Sequence, residues 1–220
     1  MVGAVRGLVE EAPWVESVLT GSFAGSVALG LSPEDVTALE RHFLEPQEEP
    51  EVPLSPSETA YARALARFGE VRLPSPSYVA ALRWAHVRGI PVAGVDPSSD
   101  HYADLFVGSI GATDLLREGF AERSLARAPL SAPSAVELAR IWDRRLHPGR
   151  GHRKLMEASD GVLVKNLEEL ARRMGPGAER MALILDVERT DRLLPRLTEE
   201  GWPYEVAERP TPEATGEETP

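Results

Sequence analysis

Two stretches hold side chains whose types and spacing could do chemistry. In "VDPSSDHYAD", Asp96, Asp100 and His101 bring two carboxylates and an imidazole close together in the chain. In "MALILDVERT", the acid Asp186 ends an apolar run and Glu188 follows it. Carboxylates with one imidazole suit a hard or borderline divalent metal, so Asp96, Asp100 and His101 are candidate metal ligands. Burial that separates pKa values would let Asp96, His101 and Asp186 divide acid and base roles, which makes them the catalytic candidates. Asp96, Asp100 and Glu188 are equally candidates for holding a ligand. A plainer reading stands beside each. An Asp after a strand caps the next turn or helix, and Asp186 and Glu188 could cap a helix beginning near Thr190.

A third stretch, "HPGRGHRK" (147–154), sets Arg150, His152 and Arg153 among two glycines. Such a turn could cradle a phosphate or carboxylate. It lacks the GxxxxGK[ST] spacing of a P-loop and reads equally as a solvated basic turn between helices. No GxSxG, HExxH or GxGxxG occurs. Ser22, Ser26 and Ser109 lie near glycines, but no base and orienter accompany them.

The elements that must position these residues are legible in outline. Asp96 closes a strand over 90–95, preceded by a helix after Ser75-Pro76 and a stop at Gly89. Helix, glycine, buried strand is half of a βαβ unit. The strand lacks polar alternation, as expected when both faces are covered. Asp186 closes a second such strand over 181–187. Ligands of parallel sheets gather at the carboxyl ends of the strands, so neighbouring strands would put Asp96 and Asp186 on one rim.

Elsewhere the pattern predicts a helix over 3–11, a strand over 26–31, and a helix over 33–43 with Ser32 and Pro33 at its start. A capping box, Ser55 to Glu58, opens a helix whose stripe is Tyr61, Ala64, Leu65 and Phe68. Further helices are expected over 113–127, 134–146, 156–174 and 190–200, and a last strand near 203–206. The acidic, proline-rich segment 44–56 reads as an internal linker, and 208–220 as a disordered acidic tail. The expectation is one α/β domain over 1–207. Its small, mostly parallel sheet is covered by helices, with a helix-rich middle region.

Composition narrows the function classes. A net charge of −11 and a pI near 5.0 give no basic surface for general nucleic-acid binding. The 24 basic residues are all arginine except Lys154 and Lys165, and that bias identifies no substrate. With no cysteine, thiolate metal sites and cysteine nucleophiles are excluded, and a cytoplasmic location is expected. No apolar run is long enough to span a membrane.

The order of elements resembles the TraB/PrgY-like family, related to the GumN and Tiki proteins. "VALGLSPEDVTALERHF" is similar to its strand-and-helix segment, in which the strand ends in an acid. "YVAALRWAHVRGIPVAGVD" resembles its helix and strand ending in Asp, and "LVKNLEELARRM" its later helix. "MALILDVERTDRLLPRL" occupies the place of its late strand, Gly-x-x-His turn and following helix. The resemblance carries over Asp96 and Asn166 as ligand-binding positions. It also implies an α/β fold and a metal-dependent hydrolase. Three departures count against that activity. Gly30 replaces the strand acid, "LDVERT" holds no histidine, and the Gly-Thr-x-His strand is expected to be missing, the chain starting at the helix after it. The expectation is therefore a divergent, non-catalytic domain that binds a ligand or protein partner. The alternative is a metal-dependent hydrolase using acids at the strand ends, with a divalent metal as cofactor. A third reading is an accessory subunit whose missing strand comes from a partner or a second copy.

Overall fold

A computed structural model describes residues 1–44, 54–127, 130–174 and 180–210. The elements run β1 (Val2–Ala4), α1 (Glu11–Ser22), β2 (Ser26–Leu29), α2 (Pro33–Leu44), α3 (Pro56–Leu65), α4 (Pro76–Val87) and β3 (Val92–Gly94). They continue α5 (Ser99–Ser109), α6 (Ala112–Arg127), α7 (Ala135–Leu146), α8 (Arg150–Met174), β4 (Met181–Asp186) and α9 (Val187–Glu199). The four strands form one parallel sheet in the order β1-β4-β2-β3. The protein is therefore α/β, with its helices covering a small parallel sheet.

Side-chain alternation along the strands divides the core. Val27, Leu29, Ala182 and Ile184 point to the face covered by α1, α2 and α4, where Leu19, Leu39 and Leu82 are buried. Ala28, Leu183 and Leu185 point to the other face, against Leu163 and Leu167 of α8 and Leu193 of α9. Period-two alternation on a sheet covered twice produces these all-apolar strands. A third cluster, with Leu65, Leu125, Leu138 and Trp142, joins α3, α6 and α7 to the segment after β1.

Several elements follow the sequence closely. Ser55 and Glu58 form the reciprocal capping box. Ser134 caps α7 through the Glu137 amide at 3.2 Å. Gly89 ends α4 with φ of 64°, a left-handed conformation that costs glycine little.

The start of the chain differs. Residues 2–4 form a strand, and the first helix begins at Glu11 instead of spanning 3–11. The chain thus opens with a strand where a helix was expected, pairing Val2 to Ile184 and Ala4 to Asp186. Gly3 is needed there, because a Cβ would lie 2.8 Å from Thr190 Oγ1 of α9.

Three further boundaries move. The expected turn after Asp96 winds into α5, whose first turn Ser98 caps through the His101 amide at 3.4 Å. The basic turn is the start of α8, so Gly161 lies inside that helix, where a Cβ would come within 3.1 Å of the Arg196 guanidinium. Helix α9 follows β4 directly and does not wait for Thr190.

The expected last strand is an extended segment lying beside β1. The Ala207 amide donates to Met1 O at 2.8 Å. Arg209 donates to Gly3 O at 2.8 Å, pairs with the buried Glu11, and lies over the Trp14 ring. Glu208 and Arg209, expected in the tail, are therefore tied to α1 through Trp14 and to the sheet edge through Gly3. The linker residues 45–53 and tail residues 211–220 fall outside the described residues.

Candidate functional site

The carboxyl edge of the sheet opens into a cleft of about 320 Å³. Its floor comes from the strand ends: Arg6 after β1, and Asp186, Glu188 and Arg189 at the end of β4 and start of α9. Helix α5 supplies one wall through Tyr102 and Phe106, and α7 and α8 supply another through Trp142, His147, Leu155 and Asp160. Asp96 lies at the same edge after β3. The strands bearing Asp96 and Asp186 are parallel as expected, but β2 lies between them, so they are not direct neighbours.

Arg189 is the hub. Its Nη1 donates to Asp96 Oδ2 at 2.6 Å, its Nε to Asp160 Oδ1 at 2.9 Å, and its Nη2 to Ser159 Oγ at 3.3 Å. Arg192, one turn along α9, reaches the other oxygen of Asp160 at 3.3 Å and Asp143 at 3.3 Å. Asp143 in turn meets His147 Nδ1 at 3.2 Å. A chain of alternating charge thus runs from β3 through α9 and α8 to α7. Burial makes such a chain interdependent, because loss of one member strands its neighbours.

The carboxyl groups differ in what surrounds them. Burial pushes the Asp96 carboxyl up, and Arg189 offsets only part of this. Asp186 is also pushed up by burial, against the charge of Arg6 and the hydroxyl of Tyr78. Glu188 rises to about 7, through burial first and then the charge of Asp186. Its Oε2 is buried without a hydrogen-bond partner among the described residues. Asp143 goes the other way: burial raises it, but the His147 hydrogen bond and Arg192 outweigh that and lower it. Burial and the Asp186 charge thus bring the Glu188 carboxyl toward neutral pH.

Asp186 does not act as a helix cap. It occupies the N-cap position of α9, yet its side chain makes no capping bond and accepts from Tyr78 instead. Asn166 is structural in its contacts, donating from Nδ2 to Val95 O at 3.0 Å and Asp96 O at 3.4 Å. It pins the end of β3 to α8.

The grouping of Asp96, Asp100 and His101 does not form. Asp100 and His101 lie exposed on the first turn of α5, because the Ser98 cap turns that segment into helix. Among the described residues no group of three or more His, Asp or Glu side chains is set to hold a metal ion. The Arg150, His152 and Arg153 grouping also separates. Arg150 and Arg153 are exposed, while His152 is buried against Glu118 at 3.3 Å. The two glycines do approach a carboxylate, but it is that of Asp114 in α6, which accepts from the Gly151 amide at 3.4 Å. An internal side chain fills the place expected for an outside anion.

Sequence reasoning missed Arg6, Tyr78, Asp143, Asp160, Arg189 and Arg192. The spacing of Arg189 and Arg192 on α9 was visible, since residues three apart share a helix face. Their partners on α7 and α8 left no local signal. No family model matches the chain, and neither does any curated protein or solved structure.

Proposed function

We propose that the chain is a divergent TraB/PrgY-like domain that binds a ligand in this cleft and does not hydrolyse it. The observation that carries the reading is the seat of Arg189 between Asp96 and Asp160, at 2.6 and 2.9 Å. A guanidinium supplies there the positive charge that a bound cation would otherwise supply. The residues after the strands support this. Val5-Arg6 follows β1, with no Gly-Thr-x-His there. Asp186 ends β4 and Val187-Glu188-Arg189 opens α9, in the segment where the resemblance expects Gly-x-x-His. Arg6 and Arg189 stand there, and a guanidinium has no lone pair to give a metal.

The strand acid is Gly30, and the space beside it is taken, since a Cβ there would lie 2.6 Å from Leu185 Cδ2. This set of residues does not fit a divalent metal, and no hydrolytic step is derived through one. Titration of Mn²⁺ and Zn²⁺ against thermal unfolding tests the reading. A ligand that binds only the native state raises the melting temperature by mass action. We expect no rise at millimolar metal; a saturable rise that Asp96→Asn abolishes would restore the hydrolase.

A further inference from the structure

The geometry points to a small-oxyanion site in this cleft: Arg6 anchors a carboxylate or phosphate group of a ligand whose apolar part rests on the α5 wall. The inference rests on reading the cleft as a ligand site and adds the ligand's chemistry.

Most charges around the cleft are already paired. Asp96 and Asp160 are held by Arg189, Asp143 by Arg192 and His147, and Glu118 by His152. Asp186 accepts from Tyr78. Arg6 is exposed at the mouth and makes no ion pair or hydrogen bond among the described residues; its guanidinium lies 5.9 Å from the centre of the Tyr61 ring.

The acids nearest Arg6 are Asp186 and Glu188. Glu188 opposes an anion only in part, because burial and Asp186 keep its carboxyl partly protonated at neutral pH, with a pKa of about 7. Depth sorts the remaining charges. The Asp160 side chain is 8% exposed, whereas that of Arg192, on the same ion pair, is 33% exposed. Asp186 and Glu188 lie partly buried beside Arg6 and attract its charge, and Arg6 is the exposed cation of the cleft that an incoming group meets.

The net charge of −11 does not reverse this. Charges farther off than about 8–10 Å are largely screened at physiological salt, and a forked guanidinium binds a carboxylate or phosphate through two parallel hydrogen bonds. Tyr102 and Phe106 beside the opening give the rest of the molecule an apolar surface.

The test measures thermal shift and calorimetric binding with four probes: inorganic phosphate, acetate, phenylacetate and butylamine. At least one oxyanion is expected to bind, phenylacetate more tightly than acetate. Phosphate binding with no carboxylate response would assign the anchor to phosphate, and the reverse to carboxylate. Arg6→Gln should weaken oxyanion binding at least about tenfold, the loss of a bidentate charged contact. Arg6→Lys keeps the charge without the fork and should bind several-fold more weakly than the parent, which serves if Arg6→Gln fails to fold. Arg123→Gln, on α6 outside the cleft, should leave binding unchanged. The inference is overturned if no oxyanion binds at about 10 mM, if neither Arg6 variant weakens binding, or if butylamine binds and Arg6→Gln tightens it. A metal-induced shift would count against the non-catalytic reading and not against Arg6, so the two failures are separable.

Discussion

Tyr78 donates its hydroxyl to Asp186 Oδ1 at 3.1 Å, joining the first turn of α4 to the last residue of β4. The bond crosses the carboxyl edge over β2, which lies between β4 and β3. It satisfies an acid that burial already disfavours in its charged form.

Tyr78→Phe should therefore destabilise the fold by about 1–3 kcal/mol, the cost of leaving a buried acceptor unpaired. Urea unfolding at neutral pH measures it. Asp186→Asn in the same background should recover part of the loss, since an uncharged amide is cheaper to leave there. An additive double variant would mean that the two residues do not act through each other.

Arg189→Met should cost about 3–5 kcal/mol, because it leaves Asp96 and Asp160 as buried like charges without their shared cation. Adding Asp96→Asn should return a substantial part of that stability. The comparison reads the coupling directly by a double-mutant cycle in urea.

The folded pKa of Glu188, about 7, lies above its ordinary value of 4.5, so the native state holds this proton longer. The contribution is fully present below pH 4.5 and is lost as pH rises through about 7. Asp186 and Asp96, also raised, act in the same direction. Asp143 is lowered, and its contribution is instead lost as pH falls through the acid range. Glu188→Gln should flatten the fall between acid and neutral pH and gain up to about 3 kcal/mol at alkaline pH. Unfolding curves at half-unit pH steps, parent against variant, measure both.

The strap beside β1 makes its own demand. Arg209 is the cation paired with Glu11, which is 2% exposed and also accepts from the Val5 amide at 3.1 Å. Arg209→Ala should destabilise the protein by about 3 kcal/mol, and Glu11→Gln should rescue much of it, because the buried charge is then gone. Amide exchange at Val5, next to Arg6, should quicken in the single variant and slow again in the double.

What the sequence made legible was local. The α4, Gly89 and β3 unit, the Ser55–Glu58 box and the apolar run ending at Asp186 each carry their signal within a few residues. β1 was hidden because three residues between Met1 and Val5 are too few to show alternation, and Gly3 weakens the pattern further. Ser98 marks the first turn of α5, but a serine ahead of Asp100 reads equally as a turn, and only its bond to the His101 amide distinguishes the two. Asp96 was placed at the correct rim; its partner Arg189 lies 93 residues on, beyond any periodic signal. The same distance in sequence conceals the link from Arg192 to Asp143, 49 residues apart. Charge networks between helices are properties of packing, and a single sequence shows only their members.

Helix α5 lends Tyr102 and Phe106 to the cleft, yet none of its own residues is buried. An element with so little apolar anchorage protects its backbone less than the covered helices do. The amides of 99–109 should therefore trade their hydrogens for deuterium before those of α4 or α8, and a compound resting on Tyr102 should slow that trade.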